Sequence, residues 1–174
     1  MTTTAAEIKL ALSAARGLDL AWELPRFAGR ELTLRAGERV VATLNLTPGR
    51  GSRAGGTFAN AAWTIERRGP WWSTVAVREP GRDADVAVLE LSMWGGGLID
   101  FPRGGQFRWR RAGFGPSRMF TTYGGDPLVR LAFRLSWRRR AVAVDVDAAA
   151  WTLRELPVLL LLGGYLMRYP ARVS

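Results

Sequence analysis

Two aspartates separated by one residue, Asp145 and Asp147, form the best-spaced carboxylate pair in the chain. On a strand they share a face, and two carboxylates so placed can hold a divalent cation through oxygen ligands. The favoured reading is plainer: both aspartates pair with arginines on a facing strand. Asp83 and Asp85 follow Pro80 and Gly81 and read as turn residues. The glycine clusters Gly95 to Gly97 and Gly104 with Gly105 lack the lysine of a phosphate-binding loop, because Lys9 is the only lysine. They suit turns and bends of a curved sheet. Histidine and cysteine are both absent, which excludes nucleophilic triads with an imidazole base, the usual zinc sites and haem ligation through histidine. No residue stands out as catalytic, and neither a cofactor nor a metal is expected. The chain reads as a non-enzyme.

What remains is arginine. Twenty-five Lys plus Arg against 15 Asp plus Glu give a net charge of +10, a balance that favours polyanionic partners. The arginines cluster at turns. Gln106 to Arg111 alternates, placing Phe107 and Trp109 inward with Arg108 and Arg110 outward. Arg138, Arg139 and Arg140 cap a hairpin, Arg50 and Arg53 lie in a glycine-rich stretch, and Arg67 and Arg68 precede another turn. The candidate anion-binding residues are therefore Arg108, Arg110, Arg111, Arg138, Arg139 and Arg140. If several of these turns gather at one end of the fold, they make an anion-attracting rim; otherwise they are a scattered, solvated surface. The eight tryptophans are expected to serve packing for the most part.

The elements that would position these residues are short and strand-like. Alternating or apolar runs occupy Glu31 to Arg35, Arg39 to Leu46, Thr57 to Arg67, Trp71 to Arg78, Val86 to Met93 and Leu98 to Phe101. They continue at Phe107 to Arg111, Met119 to Tyr123, Leu128 to Arg138 and Ala141 to Asp147, with Gly and Pro breakers between them. Many short strands at this spacing predict a sandwich or a barrel. In the last hairpin, Val129, Leu131, Phe133, Leu135 and Trp137 share a face that Val142, Val144 and Val146 continue. An in-phase register sets Asp145 and Asp147 opposite or diagonal to Arg130 and Arg134. Near the N-terminus, Thr4 and Glu7 have capping-box spacing, while Ile8, Leu10 and Leu12 alternate as in a strand; the strand is preferred. Glu7 and Lys9 interrupt any signal-peptide core, so secretion is not expected.

The run Leu156 to Met167 is different in kind. It is bounded by Arg154, Glu155 and Arg168 and falls short of the roughly 20 apolar residues of a transmembrane helix. Hydrophobic all round, it predicts one buried helix over about 156–168, with Pro157 in the first turn, where a missing N–H costs nothing. Gly163 and Gly164 would weaken a helix but let a large strand residue such as Trp approach closely. The alternative, a tail in a membrane interface, suits an amphipathic helix better than this one.

The order of these elements resembles the tubby C-terminal-like superfamily, which includes LURP-one-related proteins and phospholipid scramblases. The resemblance rests on Arg35 to Arg39 before Val40 to Ala42, on Trp63 to Ile65 followed by Arg67 to Gly69, and on Trp94 to Leu98. Phe107 to Trp109 and Glu155 to Pro157 leading into the leucine run complete it. It implies a mainly β fold: a closed antiparallel barrel of about 12 strands, reaching to about residue 150, around a central apolar C-terminal helix. A single domain over 1–174 follows. No calcium-site pattern of the scramblase kind is present, nor an arrangement matching the tubby phosphoinositide site. The expected function is a basic module that binds anionic lipid headgroups at a membrane surface, or a protein partner, in the cytoplasm and peripheral to the membrane. The alternatives are a nucleic-acid binder using arginine-rich turns and a structural protein.

Overall fold

A computed structural model describes residues 5–25, 29–47, 53–69, 73–136 and 139–169, with the backbone alone at Leu135, Ser136 and Arg139. Helix α1 spans Ala5–Ala15. The strands are β1 (Leu20–Glu23), β2 (Glu31–Ala36), β3 (Arg39–Thr47), β4 (Arg53–Phe58), β5 (Ala61–Arg68), β6 (Thr74–Arg78), β7 (Asp85–Leu91), β8 (Gly97–Asp100), β9 (Gln106–Arg111), β10 (Arg118–Thr122), β11 (Pro127–Ser136) and β12 (Arg139–Val146). A 3₁₀ helix at Ala148–Thr152 leads to helix α2, Leu156–Arg168. Each strand pairs antiparallel with its sequence neighbours, and β1 pairs with both β2 and β12, so the twelve strands close into a barrel. Closure removes the free edges on which another strand could add.

Alternation does the sorting. Leu32, Leu34 and Ala36 on β2, Ala42, Leu44 and Leu46 on β3, and Ala54, Gly56 and Phe58 on β4 are buried, while the residues alternating with them face outward. The wall and α2 share one hydrophobic core. Every residue of α2 from Leu156 to Met167 is buried, which is why the helix has no polar face. A Cβ on Gly164 would lie 2.5 Å from the Trp22 ring, one on Gly163 2.9 Å from Leu131, and one on Gly56 3.2 Å from Leu161. The helix glycines thus admit β1 and β11, and the strand glycine admits the helix. Pro157 stands in the first turn of α2. Among the described residues no helix is long and apolar enough to cross a membrane.

Three local expectations change. The segment Ala5–Ala15 is a helix, not a first strand. Ile8, Ala11, Leu12 and Ala15 pack on the barrel wall at helical spacing, leaving Leu10 72% exposed. A barrel whose edges are all paired offers no place for a thirteenth strand at this point. Gly17, at φ 83°, ends the helix in the left-handed conformation that glycine tolerates. The run Thr57 to Arg67 divides into a β4–β5 hairpin whose turn is Ala59 and Asn60, both at positive φ (46° and 67°). That turn carries no glycine or proline, so no breaker marks it. Finally, β4 begins at Arg53, inside the stretch read as a glycine-rich loop.

Candidate anion-binding rim

Antiparallel connectivity assigns every connection to one of the barrel's two ends. The segments joining β2–β3, β4–β5, β6–β7, β8–β9 and β10–β11 share an end with the N-terminus of α2, and they contain Glu38, Glu79, Asp83 and Asp126 against Arg82 and Arg103. The six segments joining β1–β2, β3–β4, β5–β6, β7–β8, β9–β10 and β11–β12 share the other end with the C-terminus of α2. In sequence, none of these six contains an aspartate or glutamate. Arginines outnumber carboxylates along their borders: Arg53, Arg67, Arg68, Arg111, Arg118 and Arg140 lie in the first or last two residues of their strands at this end, as do Glu23, Glu31 and Glu90. The charge is therefore polarised along the barrel axis.

The densest part of the rim lies between β7 and β10. Arg111 and Arg118 face each other across β9 and β10. Each is two residues from a buried aromatic, Trp109 and Phe120, whose rings pack at 4.6 Å, so both arginines belong to the inward face at its open end. Burial, and after it the charge of Arg111, pushes the Arg118 guanidinium below the usual arginine value. Its Nη1 is buried and has no hydrogen-bond partner among the described residues. The β7–β8 loop closes over the same group, since a Cβ on Gly95 would lie 3.7 Å from Arg118 Nη2. Among the described residues no carboxylate pairs with Arg110, Arg111, Arg118 or Arg140. An anion placed between Arg111 and Arg118 would relieve their repulsion.

Two loops project from this part of the rim. Ser92 to Gly96 carries Met93 and Trp94, each 87% exposed, and Ala112 to Ser117 carries Phe114, fully exposed. Elsewhere on the rim, Arg67 is committed to the fold. Its Nη2 donates to the Tyr169 carbonyl at the end of α2, and its guanidinium lies 5.9 Å from the Tyr165 ring centre. A cation there suits the negative end of the helix dipole. Arg68 is partly neutralised by Glu66 and Asp85, at 3.5 and 3.4 Å.

The arginines singled out in the sequence divide accordingly. Arg110, Arg111 and Arg140 are exposed at the rim end. Arg139 begins β12 opposite Ser136, at the same end, and Arg138 lies outside the described residues. Arg108 belongs elsewhere: it points outward from β9 with its guanidinium 4.5 Å from the ring of Tyr123, which follows β10 at the opposite end. Sequence reasoning missed Arg118, Met93, Trp94 and Phe114. Arg118 was legible in principle, being in phase with Phe120, whereas Met93 read as the last residue of a strand and Phe114 was hidden among breakers.

The carboxylates do not build a competing centre. Asp145 is opposite Arg130 as the expected register has it, yet both side chains are exposed and no ion pair joins them among the described residues. Asp147 instead caps the 3₁₀ helix, its Oδ1 accepting from the Ala149 amide at 3.0 Å. No cluster of three or more metal-ligating side chains occurs among the described residues. A groove of about 270 Å³ runs between α1 and β3, lined by Ala11, Ala15, Val40 and Thr43 with Arg39 as its charge. Compared with known proteins, the chain matches no family, no curated protein and no solved structure.

Proposed function

We propose that this protein is a non-enzymatic module that docks on anionic membrane surfaces through the rim formed by the β7–β8 and β9–β10 connections and the start of β12. The observation that carries the reading is the Arg111–Arg118 pair: two arginines opposite each other in register at a barrel mouth, with no carboxylate paired to either among the described residues. A phosphate at the mouth supplies the missing counter-charge. Each further arginine near an anionic surface adds about 1 kcal/mol, falling off within a Debye length. In this reading α2 runs through the centre of the barrel as a rigid axis, and the protein is cytoplasmic and peripheral to the membrane. The tubby-like resemblance points the same way.

A second reading is supported by Trp94 and Phe114: exposed aromatics beside arginines can stack on the bases of single-stranded nucleic acid. Co-sedimentation with phosphatidylserine-containing and neutral vesicles over a salt series, with single-stranded DNA as competitor, separates the two. Salt-sensitive binding to the anionic vesicles that DNA fails to displace is expected. Absence of vesicle binding at low salt overturns the membrane reading, and tight DNA binding in its place establishes the second.

A further inference from the structure

Soluble polyanions and lipid surfaces both satisfy an arginine rim, but they make opposite demands on what stands between the arginines. Met93 and Trp94 at the tip of one loop and Phe114 at the tip of its neighbour show nearly their whole side chains to water. The strands β8 and β9 lie between the two loops, which puts the tips about two strand spacings, or ~10 Å, apart. Gly95 and Gly96 flank one tip, and Gly113, Gly115 and Pro116 flank the other. Neither loop contains a charged residue.

Resting on the membrane-surface reading, we propose that these two loops are a pair of insertion tips: Met93, Trp94 and Phe114 enter the headgroup–acyl boundary while Arg110, Arg111 and Arg118 engage the phosphates above them. The partner is a lipid bilayer, for three reasons. Stacking platforms for bases are rings laid on a protein surface with one face covered, whereas these side chains are supported on neither face. Met93 has no ring, and stands as far out as Trp94. The loops offer apolar tips below a belt of cations, the vertical order of an anionic interface, with Trp at the boundary depth where it is favoured. Apolar tips and basic rim thus divide the work: the arginines set the preference for anionic lipid and the salt dependence, and the tips set the residence of the bound protein.

The absence of cysteine makes the test direct. Met93→Cys, Phe114→Cys and, as a control at the opposite end, Asn60→Cys are each labelled with an environment-sensitive fluorophore and mixed with phosphatidylcholine/phosphatidylserine vesicles. Sedimentation of the same samples reports total binding. Expected are a blue shift and quenching by acyl-chain nitroxides at 93 and 114, with no change at 60. Trp94→Ser and Phe114→Ser should each weaken partitioning about tenfold or more, from the apolar area lost. Full sedimentation with both loop probes still in water overturns insertion and leaves the surface reading standing. No sedimentation of the unlabelled protein overturns the surface reading and insertion with it. Loop probes that respond to single-stranded DNA and not to vesicles assign the tips to base stacking instead.

Discussion

Gly164→Ala sets two opposing effects against each other. Replacing a helical glycine by alanine ordinarily gains about 1 kcal/mol. Here the added methyl would sit 2.5 Å from Trp22 Cε2 and 2.9 Å from Cδ2 and Cζ2, well inside van der Waals contact, and the ring is fully buried. Overpacking of this kind costs about 1–3 kcal/mol, more when a rigid ring must move. The clash should win, with a net loss of ~1–2 kcal/mol and a fall in Tm of roughly 3–6 °C. Gly163→Ala is the internal control. Its methyl meets the Leu131 methyl groups at 2.9 and 3.2 Å, and leucine can rotate, so this variant should be clearly the more stable of the two. Urea unfolding followed by circular dichroism measures both. Trp22→Phe, which forfeits no hydrogen bond to the described residues because Trp22 Nε1 has no partner among them, should relieve part of the Gly164→Ala defect in a double-mutant cycle. A Gly164→Ala protein as stable as wild type would show that α2 does not seat against Trp22.

Leu160 is 1% exposed, and Leu160→Asp buries a charge with no partner; the expected result is an unfolded or insoluble protein, and a folded, soluble one by circular dichroism would place α2 outside the core. At the β4–β5 turn, Asn60 holds φ 67°, so Asn60→Gly should leave stability equal or up to ~1 kcal/mol higher and Asn60→Val should lower it by about as much, measured by thermal unfolding; the opposite order would reject the turn. Asp147→Ala removes the cap of the 3₁₀ helix and should cost ~0.5–2 kcal/mol, without any change in the response of Tm to added calcium; a calcium-dependent Tm lost in this variant would reinstate the cation reading.

The barrel was legible where a residue's phase decides its burial. The β11–β12 hairpin, its Arg130–Asp145 register and the leucine run of α2 follow from alternation and from the lack of any polar face. The N-terminus was not legible because Ala-rich Ala5–Ala15 satisfies both periods, and the deciding fact is the closure of the sheet elsewhere. The turn at Ala59 and Asn60 lacked a glycine to mark it. Most of the described tryptophans pack, as their size suggests: Trp22, Trp63 and Trp109 are buried, whereas Trp94 is 87% exposed. Arginine-bearing turns were visible as composition. Their common end was not, because it depends on counting every strand, and the missed Arg53–Phe58 strand alone would have reversed the direction of everything after it.

The proposed binding resides in one end of the barrel and not in net charge. Two double variants with the same change in net charge test it, Arg111→Glu with Arg140→Glu at the rim, and Arg39→Glu with Arg103→Glu at the opposite end, all four side chains being exposed. Co-sedimentation with anionic vesicles at fixed salt should fall by an order of magnitude or more for the rim variant, at about 1 kcal/mol per arginine removed and as much again for each added carboxylate, while the opposite-end variant binds close to wild type. Equal losses in the two variants would contradict the account and leave the charge acting through its total alone.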